Sequence, residues 1–230
     1  MDDATVEAMQ VHGQDIPGLL QNWAERRPDH PALIWDPAEG EGRRWTYAEL
    51  AADTRRLAAG LTARGVAKGD KVLVHADNCP EMLLAWLACA TAGAVAVTTN
   101  TRSAPAEVGW FVEHAGCVAA ITQPTFAPHI AAAADHLRWV AVIGDAAAVP
   151  GAIPFESLLG DASAWPGRPP EPMLPFGIMF TSGTTSKPKA VVHTHANAVW
   201  ASRSGPRTID LGPDDRYLIY LPLFLSLIHI

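Results

Sequence analysis

Residues Thr181-Ser182-Gly183-Thr184-Thr185-Ser186-Lys187-Pro188-Lys189 put three kinds of anion-binding group, backbone N–H, hydroxyl and ammonium, into nine positions. Small side chains let the main chain approach an anion, and successive backbone N–H groups can form a concave nest around it. Hydroxyls donate, and each lysine supplies a compact positive charge. An apolar run, Phe176-Gly-Ile-Met-Phe180, precedes them and Val191-Val192 follows, so the stretch reads as a strand, a loop and more strand. Such a loop is well made for holding phosphate oxygens; the plainer alternative is a Ser/Thr-rich surface turn between two strands. It is not a Walker A loop, which runs from Gly-Lys-Ser/Thr straight into a helix, whereas here Pro188 follows Lys187.

The elements that would position this loop can be read along the chain. Ile16–Arg27 is expected to be a short helix stopped by Pro28, and Ala32–Trp35 pairs as a hairpin with Arg43–Trp45 across Gly40-Glu41-Gly42. Thr46-x-x-Glu49 is a capping box, and the helix it opens shows Leu50, Thr54, Leu57, Ala58 and Leu61 on one face before Gly65 ends it. Strands are expected at 71–76, 94–97, 118–122, 139–143 and 216–221. Helices are expected at 80–92, 105–115, 127–137 and 196–204, with one helical turn in 155–160. Gly167–Pro175 is a proline-rich connection. The alternation implies an α/β fold with a mostly parallel sheet, helices on its faces, and ligands at the carboxyl ends of its strands.

The 230 residues are 49% hydrophobic and 18% charged, a globular composition. A net charge of −7 argues against nucleic acid or an anionic membrane as the main partner. Cys79, Cys89 and Cys117 show no metal-ligand spacing, and their odd number fits a reducing cytoplasm. The acidic N-terminus lacks the pattern of a signal peptide, and the apolar stretch Met82–Val97 is short for a membrane span. His193 and His195 stand two apart without a third ligand nearby, which favours packing or capping over a metal.

Phe180 to Val191 resembles the phosphate-binding signature of the adenylate-forming (AMP-binding) superfamily, with Ser186 and Ala190 where the pattern has glycine. The resemblance continues in family order through Trp45–Leu50, Gly65–Val72, Asn78–Glu81, Ala92–Asn100 and Leu221–Phe224, and is closest to the acyl-CoA ligases, including the carnitine-type and medium-chain groups. Asp70, Asn78 and Asn100 within it read as caps and turns.

The resemblance implies the N-terminal part of the large domain, over residues 16–224, of an acyl-CoA synthetase. Such an enzyme joins a carboxylic acid to ATP and passes the acyl group to coenzyme A. Thr181, Ser182, Gly183, Thr184, Thr185, Ser186, Lys187 and Lys189 would hold the phosphates, with Mg²⁺ on a loop hydroxyl such as Thr184. The family's adenine pocket, ribose-binding aspartate, hinge and catalytic lysine match nothing here, so no catalytic residue is assigned, and the chain alone is expected to be inactive. An adenylation domain loading a carrier protein, or a non-catalytic phosphate-binding piece, would share the same loop. Residues 1–15 read as a loose lead-in. Leu225-Ser-Leu-Ile-His-Ile230 is what CTG TCT CTT ATA CAC ATC encodes, the mosaic end of a transposon adaptor, and is expected to be adaptor read-through.

Overall fold

The computed structural model describes residues 10–131, 133–181 and 188–225. Strands β3 (Lys71–His75), β4 (Val95–Thr98), β5 (Cys117–Thr122), β6 (Trp139–Val142), β7 (Ile153–Pro154), β8 (Pro175–Phe180) and β9 (Ala190–Thr194) form one sheet in the order β7-β6-β5-β3-β4-β8-β9. Every pairing is parallel except β8 with β9, an antiparallel hairpin that carries the phosphate-loop signature at its tip. A separate antiparallel pair, β1 (Pro31–Trp35) and β2 (Arg43–Thr46), forms the expected hairpin.

The strands are apolar on both faces because both are covered. Val72, Val74, Ala96, Ile121 and Phe176 face the layer containing α2 (Tyr47–Ala63) and α3 (Pro80–Ala92). Leu73, Val95, Val97, Ala120 and Ile178 face α4 (Pro105–Ala115) and α5 (Ala127–Ala131). The β3–β4 connection therefore crosses one face and the β4–β5 connection the other. That reversal makes a crevice between the carboxyl ends of β3 and β4, the place where open α/β sheets bind ligands.

The capping box forms as the sequence implies: Thr46 Oγ1 accepts from Glu49 N at 3.2 Å and Glu49 Oε2 accepts from Thr46 N at 2.8 Å. Two expectations are corrected. The alanine-rich run 127–137 is helical only over Ala127–Ala131, with a 3₁₀ turn at Ala134–His136, because Arg138 N must donate to Val118 O at 2.8 Å where β6 enters the sheet. Segment 216–221 is not a strand. Its alternation has β propensity, yet none of the described strands pairs with it, and Leu218 and Tyr220 are 78% and 79% exposed.

The lead-in and the proline-rich connection meet in a buried ionic knot. Asp15 caps helix α1 (Ile16–Arg26), its Oδ1 accepting from Gly18 N at 2.8 Å, while Oδ2 lies 2.9 Å from Arg168 Nη1. The same guanidinium donates to Ala90 O at 2.9 Å and Thr91 O at 3.2 Å, closing the C-terminus of α3, where its charge also suits the helix dipole. His195, fully buried at the start of α6 (His195–Thr208), stacks on Phe176 at 5.1 Å and accepts from Ile16 N, so it packs and caps as expected. Arg168→Lys keeps a charge but cannot reproduce the planar fork. It is expected to cost about 2 kcal/mol, measured as a lowered urea midpoint at unchanged slope.

Candidate functional site

The described part of the loop is its neck. Phe180 pairs with Ala190, the last pair of the β8–β9 hairpin. Beyond it Thr181 N donates to Lys189 O at 3.0 Å, and Lys189 N donates to Thr181 Oγ1 at 3.2 Å. This clasp makes the two ends of the loop leave the sheet side by side. Both residues are exposed, and among the described residues no carboxylate pairs with the Lys189 ammonium. Ser182, Gly183, Thr184, Thr185, Ser186 and Lys187 lie outside the described residues.

β8 runs parallel to β4, so this neck sits at the same end of the sheet as the crevice. The crevice holds a hollow of about 160 Å³ lined by Asp77 and Asn78 after β3, by Asn100, Thr101 and Arg102 after β4, and by Tyr220, Pro222 and Phe224. Thr101 Oγ1 donates to Asp77 Oδ1 at 2.8 Å, tying the two loops together. Asn78 offers its amide to the main chain of the far segment: Nδ2 donates to Leu221 O at 2.9 Å and Oδ1 accepts from Leu223 N at 2.7 Å. Asn100 Oδ1 accepts from Arg102 N at 2.9 Å, which turns the chain and leaves the exposed Arg102 guanidinium unpaired among the described residues. The turn expectation holds for Asn100, whereas the Asn78 side chain neither caps a helix nor makes a local turn and instead holds a segment 143 residues away.

Behind the crevice, His75 ends β3 with no exposure. Its Nδ1 is 2.7 Å from Thr99 Oγ1 and its Nε2 is 2.8 Å from His129 Nδ1. Burial, helped by His129 and opposed by Asp77, pushes its pKa down to about 4. Burial does the same to His195, also to about 4. Both rings are neutral in the folded chain at pH 7. Their folded pKa values lie below the unfolded value near 6.5, so on acidification the unfolded chain takes up protons first. The stability these rings contribute is therefore complete above about pH 6.5 and is lost progressively down to about pH 4. Between pH 7.5 and 5 a loss of about 2 kcal/mol per ring is expected, read from urea midpoints. His75→Gln should remove its share of that slope.

Burial pushes the Cys79, Cys89 and Cys117 thiols up to about 12, which disfavours the thiolate form at these positions. Among the described residues no group of three His, Cys, Asp or Glu side chains could hold a metal. The Mg²⁺ expectation on Thr184 falls outside the described residues.

A family model described as "AMP-binding enzyme" matches residues 20–230. The chain belongs to the AMP-binding enzyme family. It is 33% identical over 221 residues to the crotonobetaine/carnitine–CoA ligase of Salmonella paratyphi A, with 93% of this chain covering 43% of that protein. Among solved structures it superposes on acetoacetyl-CoA synthetase from Streptomyces lividans with a TM-score of 0.80 at 28% identity, covering 94% of this chain and 37% of that one. O-succinylbenzoate coenzyme A synthetase from Bacillus subtilis, in complex with AMP, gives a TM-score of 0.76 at 27% identity, over 94% of this chain and 43% of that one. The chain thus spans less than half the length of these relatives. Its AMP-binding fold is mixed α/β with a mostly parallel sheet, as the sequence implied, and no helix among the described residues is long and apolar enough to cross a membrane.

Proposed function

We propose that this chain supplies the pyrophosphate-holding part of an ATP-dependent acid–thiol ligase acting in the cytoplasm. The observation that carries the proposal is the Thr181–Lys189 clasp, which sets an exposed lysine, without a carboxylate partner among the described residues, at the same end of the sheet as the β3/β4 crevice. The whole-protein reaction begins when a substrate carboxylate attacks the α-phosphorus of ATP. Pyrophosphate leaves, and an acyl-adenylate remains. The thiol of coenzyme A then attacks the acyl carbonyl, AMP departs, and an acyl-CoA is formed.

In the first step negative charge builds up on the leaving pyrophosphate, and fixed donors aimed at that charge lower the barrier. Thr181, Ser182, Gly183, Thr184, Thr185 and Ser186 supply hydroxyls and amides for this purpose, with Lys187 and Lys189 adding charge. Magnesium would travel with the triphosphate as its counterion, with Thr184 as the candidate protein contact. Three free thiols suit a reducing compartment.

The test is pyrophosphate release by the product of the whole gene, across a panel of carboxylic acids, with and without coenzyme A. Acid-dependent release and an acyl-CoA product are expected. Release that yields a stable adenylate, discharged only by a carrier protein, would replace coenzyme A as the acceptor. No acid-dependent release would end the ligase reading.

A further inference from the structure

Strand β9 forms one margin of the large sheet, and none of the described strands lies beyond it. Its backbone directions follow from the hairpin. Thr181 N donates to Lys189 O, and Phe180–Ala190, Met179–Val191, Ile178–Val192 and Gly177–His193 continue that register without a break. Hydrogen-bonded and non-hydrogen-bonded pairs alternate along an antiparallel ladder. Val191 and His193 therefore turn their N–H and C=O groups toward β8, while Ala190 and Val192 turn theirs outward. Natural sheets blunt such a margin with charge, proline or a bulge. Ala190-Val-Val-His-Thr194 contains no proline, lysine, arginine or carboxylate, and Val191 and Val192 are 39% and 53% exposed.

We propose that the β9 margin is a self-association surface, occupied by β9 of a second copy of this chain in antiparallel, two-fold pairing centred on Val191. That register sets Ala190 opposite Val192 of the second copy, and Val192 opposite its Ala190. Every outward N–H and C=O of these residues is then used, in two hydrogen bonds per pair. Centring on Ala190 would call on Pro188, which has no N–H to give. Centring on Val192 would call on Thr194, whose N–H already goes to Asn197 Oδ1 at 3.0 Å. Across the axis Val191 meets Val191, and Lys189 meets His193. Burial lowers the pKa of His193, so the ring is neutral at pH 7 and no like charges are opposed. Two five-residue strands bury less than the roughly 1,200 Å² at which stable interfaces begin, which places the dimer in the weak class. Its Kd is expected at about 10–100 µM. The pairing needs no nucleotide, and its failure would leave the ligase reading untouched.

Sedimentation equilibrium of the 230-residue chain, at concentrations spanning that Kd, should show monomer and dimer alone, because two-fold pairing consumes the margin. Val192→Pro deletes an outward donor, leaves the bonds to β8, and should weaken the dimer at least about tenfold. Val191→Lys sets two ammonium groups across the axis and should do the same, while an equal mixture of Val191→Lys and Val191→Glu should associate again. Val191→Cys should form a covalent dimer with oxidised glutathione, since a non-hydrogen-bonded pair holds its Cα atoms about 4.5 Å apart. Trp200→Cys, at a residue 53% exposed but off the strand, should not, and neither should the wild type with its three buried or half-buried thiols. Thermal midpoints report whether each variant folds, and if Val192→Pro does not, the Val191 variants decide. A chain that stays monomeric overturns the proposal, as does a dimer indifferent to Val192→Pro and Val191→Lys. Growth beyond the dimer, or cross-linking no better at Val191 than at Trp200, overturns it as well.

Discussion

Gly60→Ala is expected to destabilise the chain by at least about 4 kcal/mol and to lower its thermal midpoint by about 8–16 °C, or to prevent folding. Gly60 lies inside α2, where glycine ordinarily costs stability and alanine is the favoured residue. Here the preference is inverted by packing. A Cβ on Gly60 would overlap the carbonyl oxygen of Leu158 and stand 2.6 Å from its carbonyl carbon. Those are main-chain atoms of the segment 155–160, and they cannot rotate away as a side-chain tip would. The approach is made closer by Gly160 N donating to Arg56 O at 3.0 Å, one turn earlier on the same helix. Relief would require α2 to move off that segment, uncovering the fully buried Leu57, Leu61 and Leu158. A stable alanine variant with an unchanged midpoint would mean that this backbone contact is not made.

Lys189→Ala should behave in the opposite way, with a thermal midpoint close to that of the wild type. The side chain is exposed and has no acidic partner among the described residues. Its backbone makes both clasp hydrogen bonds, and alanine keeps them. In the product of the whole gene, ATP–pyrophosphate exchange should fall by roughly 10- to 1000-fold, the range for removing one group that stabilises developing charge. Lys189→Arg should recover part of the rate, because charge returns but the guanidinium is planar and longer. Normal exchange in the alanine variant would show that the pyrophosphate is held elsewhere.

Local signals in this sequence were legible, and spatial ones were not. Thr46 and Glu49 announced the start of α2, and alternating strand and helix patterns announced the parallel sheet. The loop was recognisable because its chemistry is contiguous. Nothing in the spacing revealed that β8 lies beside β4, so the crevice shared by Asp77, Asn78, Thr101 and Arg102 could not be assembled from sequence. Arg168 read as part of a proline-rich connection, and its buried pairing with Asp15 depends on residues far away in the chain. Residues 216–221 have the alternation of a strand without a strand beside them. The stack of Phe180 on Phe111 was hidden for the same reason, since Phe111 sits on a helix that folds against the sheet from another direction.

The position of β8 has a consequence for how the polypeptide emerges from the ribosome. Strands β3 to β7 come from one continuous stretch and can pair with one another as they appear. β4, however, receives its second neighbour only when β8 arrives, after the 76 residues from 99 to 174 have been made. At ordinary elongation rates that leaves one margin of β4 unpaired for about 4–15 seconds. The valines of β4 would be open to unwanted pairing during that interval, so a nascent chain stalled between β7 and β8 is where a chaperone should be found attached.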